Sequence, residues 1–166
     1  MFNVFICDDS KLDIENIKNC LSVFSKKKHV DFNISEFSNP EMLMYEVEDG
    51  KIADIFILDV EMPEITGIEL AKKIRMLGDK NVRIVFVSHY PEYMQDSFDV
   101  QAFYYLSKPL NYNDFCIIIK KLIKSIEDSV IHKIIIPTNT HQKIIVNTDD
   151  IIYIEAIKTE KNVIRI

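Results

Sequence analysis

Four short apolar runs, each closing on an acidic, basic or hydroxyl side chain, constrain the folding of this chain more than any other feature. They are residues 4–7 before Asp8 and Asp9, 55–58 before Asp59, 84–87 before Ser88, and 103–106 shortly before Lys108. A strand apolar on both faces must be covered on both faces, the habit of parallel sheets flanked by helices. Segments of helical spacing separate the runs. Ile14, Ile17, Leu21 and Phe24 recur at three and four residues after Ser10, a good N-cap, and Lys26, Lys27 and Lys28 suit the C-terminal end of that helix. A shorter strand holds Phe32, Ile34 and Phe37; Ser38 or Asn39 then caps a helix with Pro40 in its first turn, ending at Gly50.

With only three glycines and five prolines, each marks a boundary. Pro63 and Gly67 frame a loop into a helix through Leu70, Ile74 and Leu77, which Gly78 terminates. A shorter helix is expected over 93–98, and a long one carries Phe115, Ile118, Ile119, Leu122 and Ile126 on one face. Strand and helix thus alternate five times, which predicts an α/β fold with a mostly parallel sheet. Such sheets place their chemistry at strand C-termini, and that rule selects Asp8, Asp9, Asp59, Ser88 and Lys108.

From about residue 131 the pattern changes to short strands, expected over 133–136, 143–146, 151–154 and 163–166. The division expected is a first domain over 1–128, a linker over 129–132 and an incomplete all-β extension over 133–166. Five basic and four acidic residues from 131 onward make this tail +1 and the remainder −7 of the total −6. No apolar run approaches the roughly 20 residues of a membrane-spanning helix. Three cysteines without a CxxC spacing suggest neither a disulfide framework nor a zinc site, so a cytoplasmic location is expected.

Three aspartates gathered at strand ends repel one another unless a cation neutralises them. Hard oxygen donors suit Mg²⁺ or Mn²⁺, and Mg²⁺ commonly shares its shell with a phosphate. A carboxylate can then act as a nucleophile toward phosphorus, with a lysine such as Lys108 spreading the developing charge and Ser88 donating to a phosphoryl oxygen.

The segments FICDDS, ILDVEMPEITG, VFVSHYPEY and YYLSKPL resemble the motif series of response-regulator receiver domains over about residues 1–128. The resemblance implies a flavodoxin-like, doubly wound five-stranded sheet of order 2-1-3-4-5. It implies Asp59 as phospho-acceptor, and Mg²⁺ held by Asp8, Asp9, the Asp59 side chain and the Glu61 backbone carbonyl. Lys108 would pair with the phosphoryl group and Ser88 would capture one of its oxygens. Tyr105 matches the aromatic whose inward or outward position reports phosphorylation, and the Lys108–Pro109 bond is cis in that family. The donor implied is a sensor histidine kinase, and the domain modifies itself without being a turnover enzyme. His89 is a departure, following Ser88 where the family often has a small residue; it bears on access to the acyl phosphate.

The stretch KIIVNTDDIIYIEAIKTEKNVIRI resembles the start of a LytTR-type DNA-binding domain and covers about its first third before Ile166. The resemblance implies a DNA-contacting loop near Lys158, Lys161 and Asn162 and a transcriptional output when the module is complete. The other histidines, His29, His132 and His141, fall at expected helix ends or turns. Ile117, with Phe103 and Tyr104, forms either an apolar patch for homodimerisation or plain core packing. An interaction module without DNA output is the alternative reading. A Mg²⁺-dependent phosphohydrolase is disfavoured, because Val60 and Glu61 follow Asp59 without the second aspartate such enzymes use two residues on.

Overall fold

The computed structural model describes residues 1–77, 82–131, 133–137, 143–148, 151, 155–157 and 163–165. The chain divides into two compact units, Met1–Leu122 and Ile123–Ile166. Strands β1 (Phe2–Cys7), β2 (Phe32–Phe37), β3 (Ile55–Leu58), β4 (Arg83–Ser88) and β5 (Tyr104–Ser107) form one sheet in the order β2-β1-β3-β4-β5. Each pairing is parallel, with Cys7 opposite both Phe37 and Leu58, Leu58 opposite Phe86, and Ser88 opposite Ser107. The order and direction match the expected flavodoxin-like sheet.

Alternation along the strands builds two cores. Phe5, Cys7, Phe56, Leu58, Ile84, Phe86 and Tyr105 belong to one cluster with Leu43 of α2 (Pro40–Glu48) and Leu70, Ala71 and Ile74 of α3 (Gly67–Leu77). The Phe5 ring lies 5.3 Å from Phe37 and 5.6 Å, edge-on, from Phe56. Val4, Ile6, Ile57, Val85, Val87 and Leu106 point to the opposite face by the period of two and are also buried. There α1 (Lys11–Lys28) contributes Ile14, Ile17, Leu21 and Phe24, and α5 (Tyr112–Ile131) contributes Phe115, Ile118, Ile119 and Leu122, all buried. Ser10 caps α1 by accepting from the Asp13 amide at 3.3 Å, and His29 closes it in the left-handed conformation at φ 54. Asn39, not Ser38, caps α2 through the Glu41 amide at 2.6 Å, with Pro40 in the first turn.

Two expectations are corrected. The helix expected over 93–98 is a 3-10 turn, Pro91–Met94, followed by the four-residue α4, Asp96–Asp99. The segment buries only Ser97 and Val100, so no apolar stripe stabilises a longer helix. Leu77, placed by its spacing on the buried stripe, is 57% exposed, because α3 ends there and its last turn overhangs the core. Residues 129–131, part of the linker expected over 129–132, continue α5, and Ser129 Oγ donates back to the Ile126 carbonyl at 2.7 Å. Gly78, His132 and His141 lie outside the described residues.

In the second unit β6 (Lys133–Pro137) pairs antiparallel with β7 (Lys143–Asn147), and β8 (Glu155–Ile157) with β9 (Val163–Arg165). Of the strand expected over 151–154, residues 152–154 lie outside the described set, as do Lys158, Lys161 and Asn162. No helix among the described residues is long and apolar enough to cross a membrane.

Candidate functional site

The sheet ladder runs one rung past its apolar strands, and that extra rung sets the site. The Asp8 amide donates to the Phe37 carbonyl at 3.1 Å, the Asp59 amide to the Cys7 carbonyl at 2.9 Å, and the Lys108 amide to the Ser88 carbonyl at 2.8 Å. Asp8, Asp59, Ser88 and Lys108 therefore stand together at the C-terminal edge of the sheet. All four are buried, while Asp9 is exposed at the rim.

Asp8, Asp9 and Asp59 each offer a carboxylate oxygen within 4.8 Å of the others. Lys108 Nζ donates to Asp59 Oδ2 at 2.8 Å, and lies 2.8 Å from Asp8 Oδ2 and 2.9 Å from Asp13 Oδ2. The Asp8 contact is an ion pair at an angle that makes no hydrogen bond, so this buried oxygen accepts none among the described residues. Its partner oxygen is taken by the Ser10 amide at 2.9 Å. Asp59 Oδ1 accepts from the Val60 amide at 2.6 Å.

Three carboxylates, those of Asp8, Asp13 and Asp59, thus face one ammonium. Burial pushes the Asp8 carboxyl up, against the opposing pull of Lys108. Burial alone would lower the Lys108 ammonium, but its contacts with Asp59, Asp8 and Asp13 outweigh that and hold it above the ordinary lysine range. Burial also works against the Asp13 carboxylate, yet Lys108 holds it below its usual range. Burial, then the fields of Asp8, Asp59 and Asp9, push the Cys7 thiol up to about 12. An excess of hard anionic oxygens, one of them buried without a hydrogen bond, fits Mg²⁺ or Mn²⁺.

The loops around Asp59 are tightly set. A Cβ on Gly67 would fall 1.8 Å from the Asp59 carbonyl oxygen, and the Gly67 amide donates to the Val60 carbonyl at 2.7 Å. Just before it, Thr66 and Glu69 form a reciprocal cap on α3: the Thr66 amide donates to Glu69 Oε2 at 2.9 Å, and the Glu69 amide to Thr66 Oγ1 at 3.2 Å. Glu61 is exposed and its carboxylate accepts from the Tyr93 hydroxyl at 3.3 Å.

On the other side, the Ser88 hydroxyl accepts from the Tyr90 amide at 3.4 Å. The Tyr105 ring is buried, 6.0 Å from that of Phe86, and its hydroxyl donates to the Tyr90 carbonyl. Tyr105 is therefore in its inward position, tied to the loop that follows Ser88. His89 is exposed and lines a groove with Asp13 and Lys108. The Lys108–Pro109 peptide is cis.

Sequence reasoning missed Asp13, Gly67's packing against Asp59, and the Thr66–Glu69 cap. The T-x-x-E spacing was legible for the cap, and the glycine for close packing; nothing in the sequence marks Asp13, whose role arises only when the first turn of α1 meets Lys108 at the C-terminal edge of the sheet. Ile117 is 53% and Tyr104 45% exposed, so they do not pack in the core.

Residues 4–120 match the family described as the response regulator receiver domain. The sensory transduction protein LytT of Oceanobacillus iheyensis is 35% identical over 98 residues, which are 58% of this chain and 38% of that protein. LytT of Bacillus subtilis is 29% identical over 162 residues, 92% of this chain and 64% of that protein. The chain accordingly spans less than two thirds of the length of either relative. Among solved structures, the response regulatory domain of mrkE from Klebsiella pneumoniae superposes with a TM-score of 0.68 over 76% of this chain and 98% of its own, at 23% identity, a likeness of fold. With the 2-1-3-4-5 sheet and the acidic cluster at its edge, these matches establish that the chain belongs to the response regulator receiver domain family, the regulatory domain of two-component systems.

Proposed function

We propose that Asp59 accepts a phosphoryl group from a phosphohistidine of a sensor histidine kinase. An Asp59 carboxylate oxygen attacks phosphorus, the P–N bond breaks, and the electron pair leaves with the imidazole nitrogen, which takes up a proton. Asp8, Asp9, the Asp59 side chain and the Glu61 backbone carbonyl would hold Mg²⁺, which when bound supplies charge neutralisation for the phosphoryl oxygens. Lys108 takes one phosphoryl oxygen, its ammonium being kept charged by the surrounding carboxylates. The observation that carries this reading is the convergence of Asp8, Asp59 and Lys108 from three strand ends, with 2.8 Å contacts to one Nζ.

The signal leaves the site through Ser88. Phosphorylation adds roughly −1.5 to −2 charge. The Ser88 hydroxyl turns toward it and releases the Tyr90 amide; the loop moves, and Tyr105, whose hydroxyl holds the Tyr90 carbonyl, fills the space vacated and carries the change to the face that bears Tyr104, Phe98 and Ile117. Those three exposed apolar side chains support homodimerisation as the response.

The LytT relatives support a transcriptional output through a LytTR-type domain beginning near residue 133, with Lys158, Lys161 and Asn162 as phosphate-positioning contacts. Dimerisation without DNA binding is the second reading, favoured by the exposed face alone. The first test is incubation with acetyl phosphate. One phosphoryl group should be added when Mg²⁺ is present and none when it is chelated; labelling that ignores Mg²⁺ would remove the acidic cluster from the reaction.

A further inference from the structure

The unexplained member of the site is Asp13. It lies in the first turn of α1, is absent from the group of three carboxylates that converge for a cation, and yet places Oδ2 2.9 Å from Lys108 Nζ. Its position is built by the helix start: the Asp13 amide is held by both the Ser10 hydroxyl at 3.3 Å and the Ser10 carbonyl at 3.1 Å. Its side chain keeps 24% exposure, whereas those of Asp8 and Lys108 keep 1% and 3%.

Three carboxylates crowd this ammonium at 2.8, 2.8 and 2.9 Å, Asp59 as a hydrogen-bond acceptor and Asp8 and Asp13 as ion pairs. A phosphoryl oxygen reaching Lys108 comes in beside these negative charges, and a carboxylate that can move away relieves the repulsion. Asp59 carries the new group, and Asp8 is locked by burial and by the Ser10 amide. Asp13 alone borders water that can receive its charge, and a doubly charged neighbour would repel it. We propose that Asp13 is a positioning residue that tethers Lys108 in the resting state and competes with the phosphoryl group for its ammonium, thereby setting how readily the site fills at a given donor level. The inference rests on the reading of Asp59 as acceptor and concerns a contact outside the cation cluster. The tether also bears on selectivity: it raises the threshold against weak donors, while a strongly bound kinase overcomes it.

Two measurements on the full chain test it. In metal-free protein, the Lys108 ammonium should give a ¹⁵Nζ resonance protected from exchange with water, and Asp13→Asn should speed that exchange several-fold while Asp13→Glu restores much of the protection. With Mg²⁺ fixed, beryllium fluoride serves as a stable phosphoryl mimic. Asp13→Asn should bind it roughly three to ten times more tightly, the discounted value of one partly exposed charge-assisted contact. Acetyl phosphate should label that variant faster by a similar factor at low donor; there the Asp59 oxygen attacks phosphorus, the P–O bond breaks and acetate leaves with the electron pair. Equal or weaker binding by Asp13→Asn, with unchanged Lys108 exchange, overturns the tether while wild type still labels on Asp59. Absence of a protected Lys108 ammonium in wild type overturns it without any variant. Failure of wild type itself to bind the mimic or to label would instead strike the underlying reading of Asp59.

Discussion

Lys108 pairs with the carboxylates of Asp8, Asp13 and Asp59, and its loss has a calculable consequence. Lys108→Met leaves Asp8 and Asp59 buried beside one another without their counter-charge. Breaking a buried ion pair in this way costs about 3 to 5 kcal/mol. Urea unfolding should show that loss in metal-free buffer and recover much of it with millimolar Mg²⁺; an equal loss under both conditions would mean that the carboxylates do not share a cation. Gly67 makes a steric prediction. Ala is the better helix former by about 1 kcal/mol. Here, however, its methyl would meet the Asp59 carbonyl at 1.8 Å. Gly67→Ala should therefore destabilise by about 1 to 3 kcal/mol as the start of α3 shifts. It should also slow labelling of Asp59 while leaving far-UV circular dichroism unchanged. These residue-scale facts were unevenly legible. Asp8, Asp59, Ser88 and Lys108 could be found because each follows an apolar run, and a run's end is a statement about location. Asp13 follows no run, and only the fold, which sets the first turn of α1 at the C-terminal edge of the sheet, brings it to Lys108.

Helix ends are where element-scale energies can be separated from the site. The Thr66–Glu69 cap satisfies two otherwise unpaired amides at the start of α3. Thr66→Ala should cost about 0.5 to 2 kcal/mol in chemical denaturation. Backbone and then side-chain hydrogen bonding by Thr66 holds the Glu69 carboxyl below its ordinary range. A lowered folded-state pKa stabilises at pH above the unfolded value and is lost as the pH falls through the folded one. The advantage of wild type over Glu69→Gln should accordingly be full near neutrality and vanish in acid below the ordinary glutamate range; an advantage that grows in acid would contradict the cap. Strand positions were readable because β1, β3 and β4 are buried on both faces and their composition says so. The region after β4 was harder to read. Glu92, Asp96 and Asp99 are spaced within reach of a helical pattern, but Pro91 and the scarcity of buried partners leave a 3-10 turn and one short helix.

At the scale of the whole molecule, the parallel sheet both gathers the acidic site at one edge and places Tyr105 between it and the outer face. That arrangement predicts coupling: a phosphoryl mimic should strengthen self-association, and Ile117→Lys, on the exposed face of α5, should weaken it at least tenfold with labelling unchanged. Sedimentation equilibrium checks both, and association that ignores the mimic would uncouple the face from the site. The five-stranded order followed from sequence because helical crossovers admit few alternatives. Residues 133–166 were less readable: strands of three to five residues carry little periodicity, and their partners are set by pairing. The most direct test of the central claim is chemical. Borohydride reduces an aspartyl phosphate to homoserine, so protein treated with acetyl phosphate and Mg²⁺ and then reduced should yield homoserine in place of Asp59 in its peptide map. Homoserine at any other aspartate, with Asp59 intact, would contradict the account.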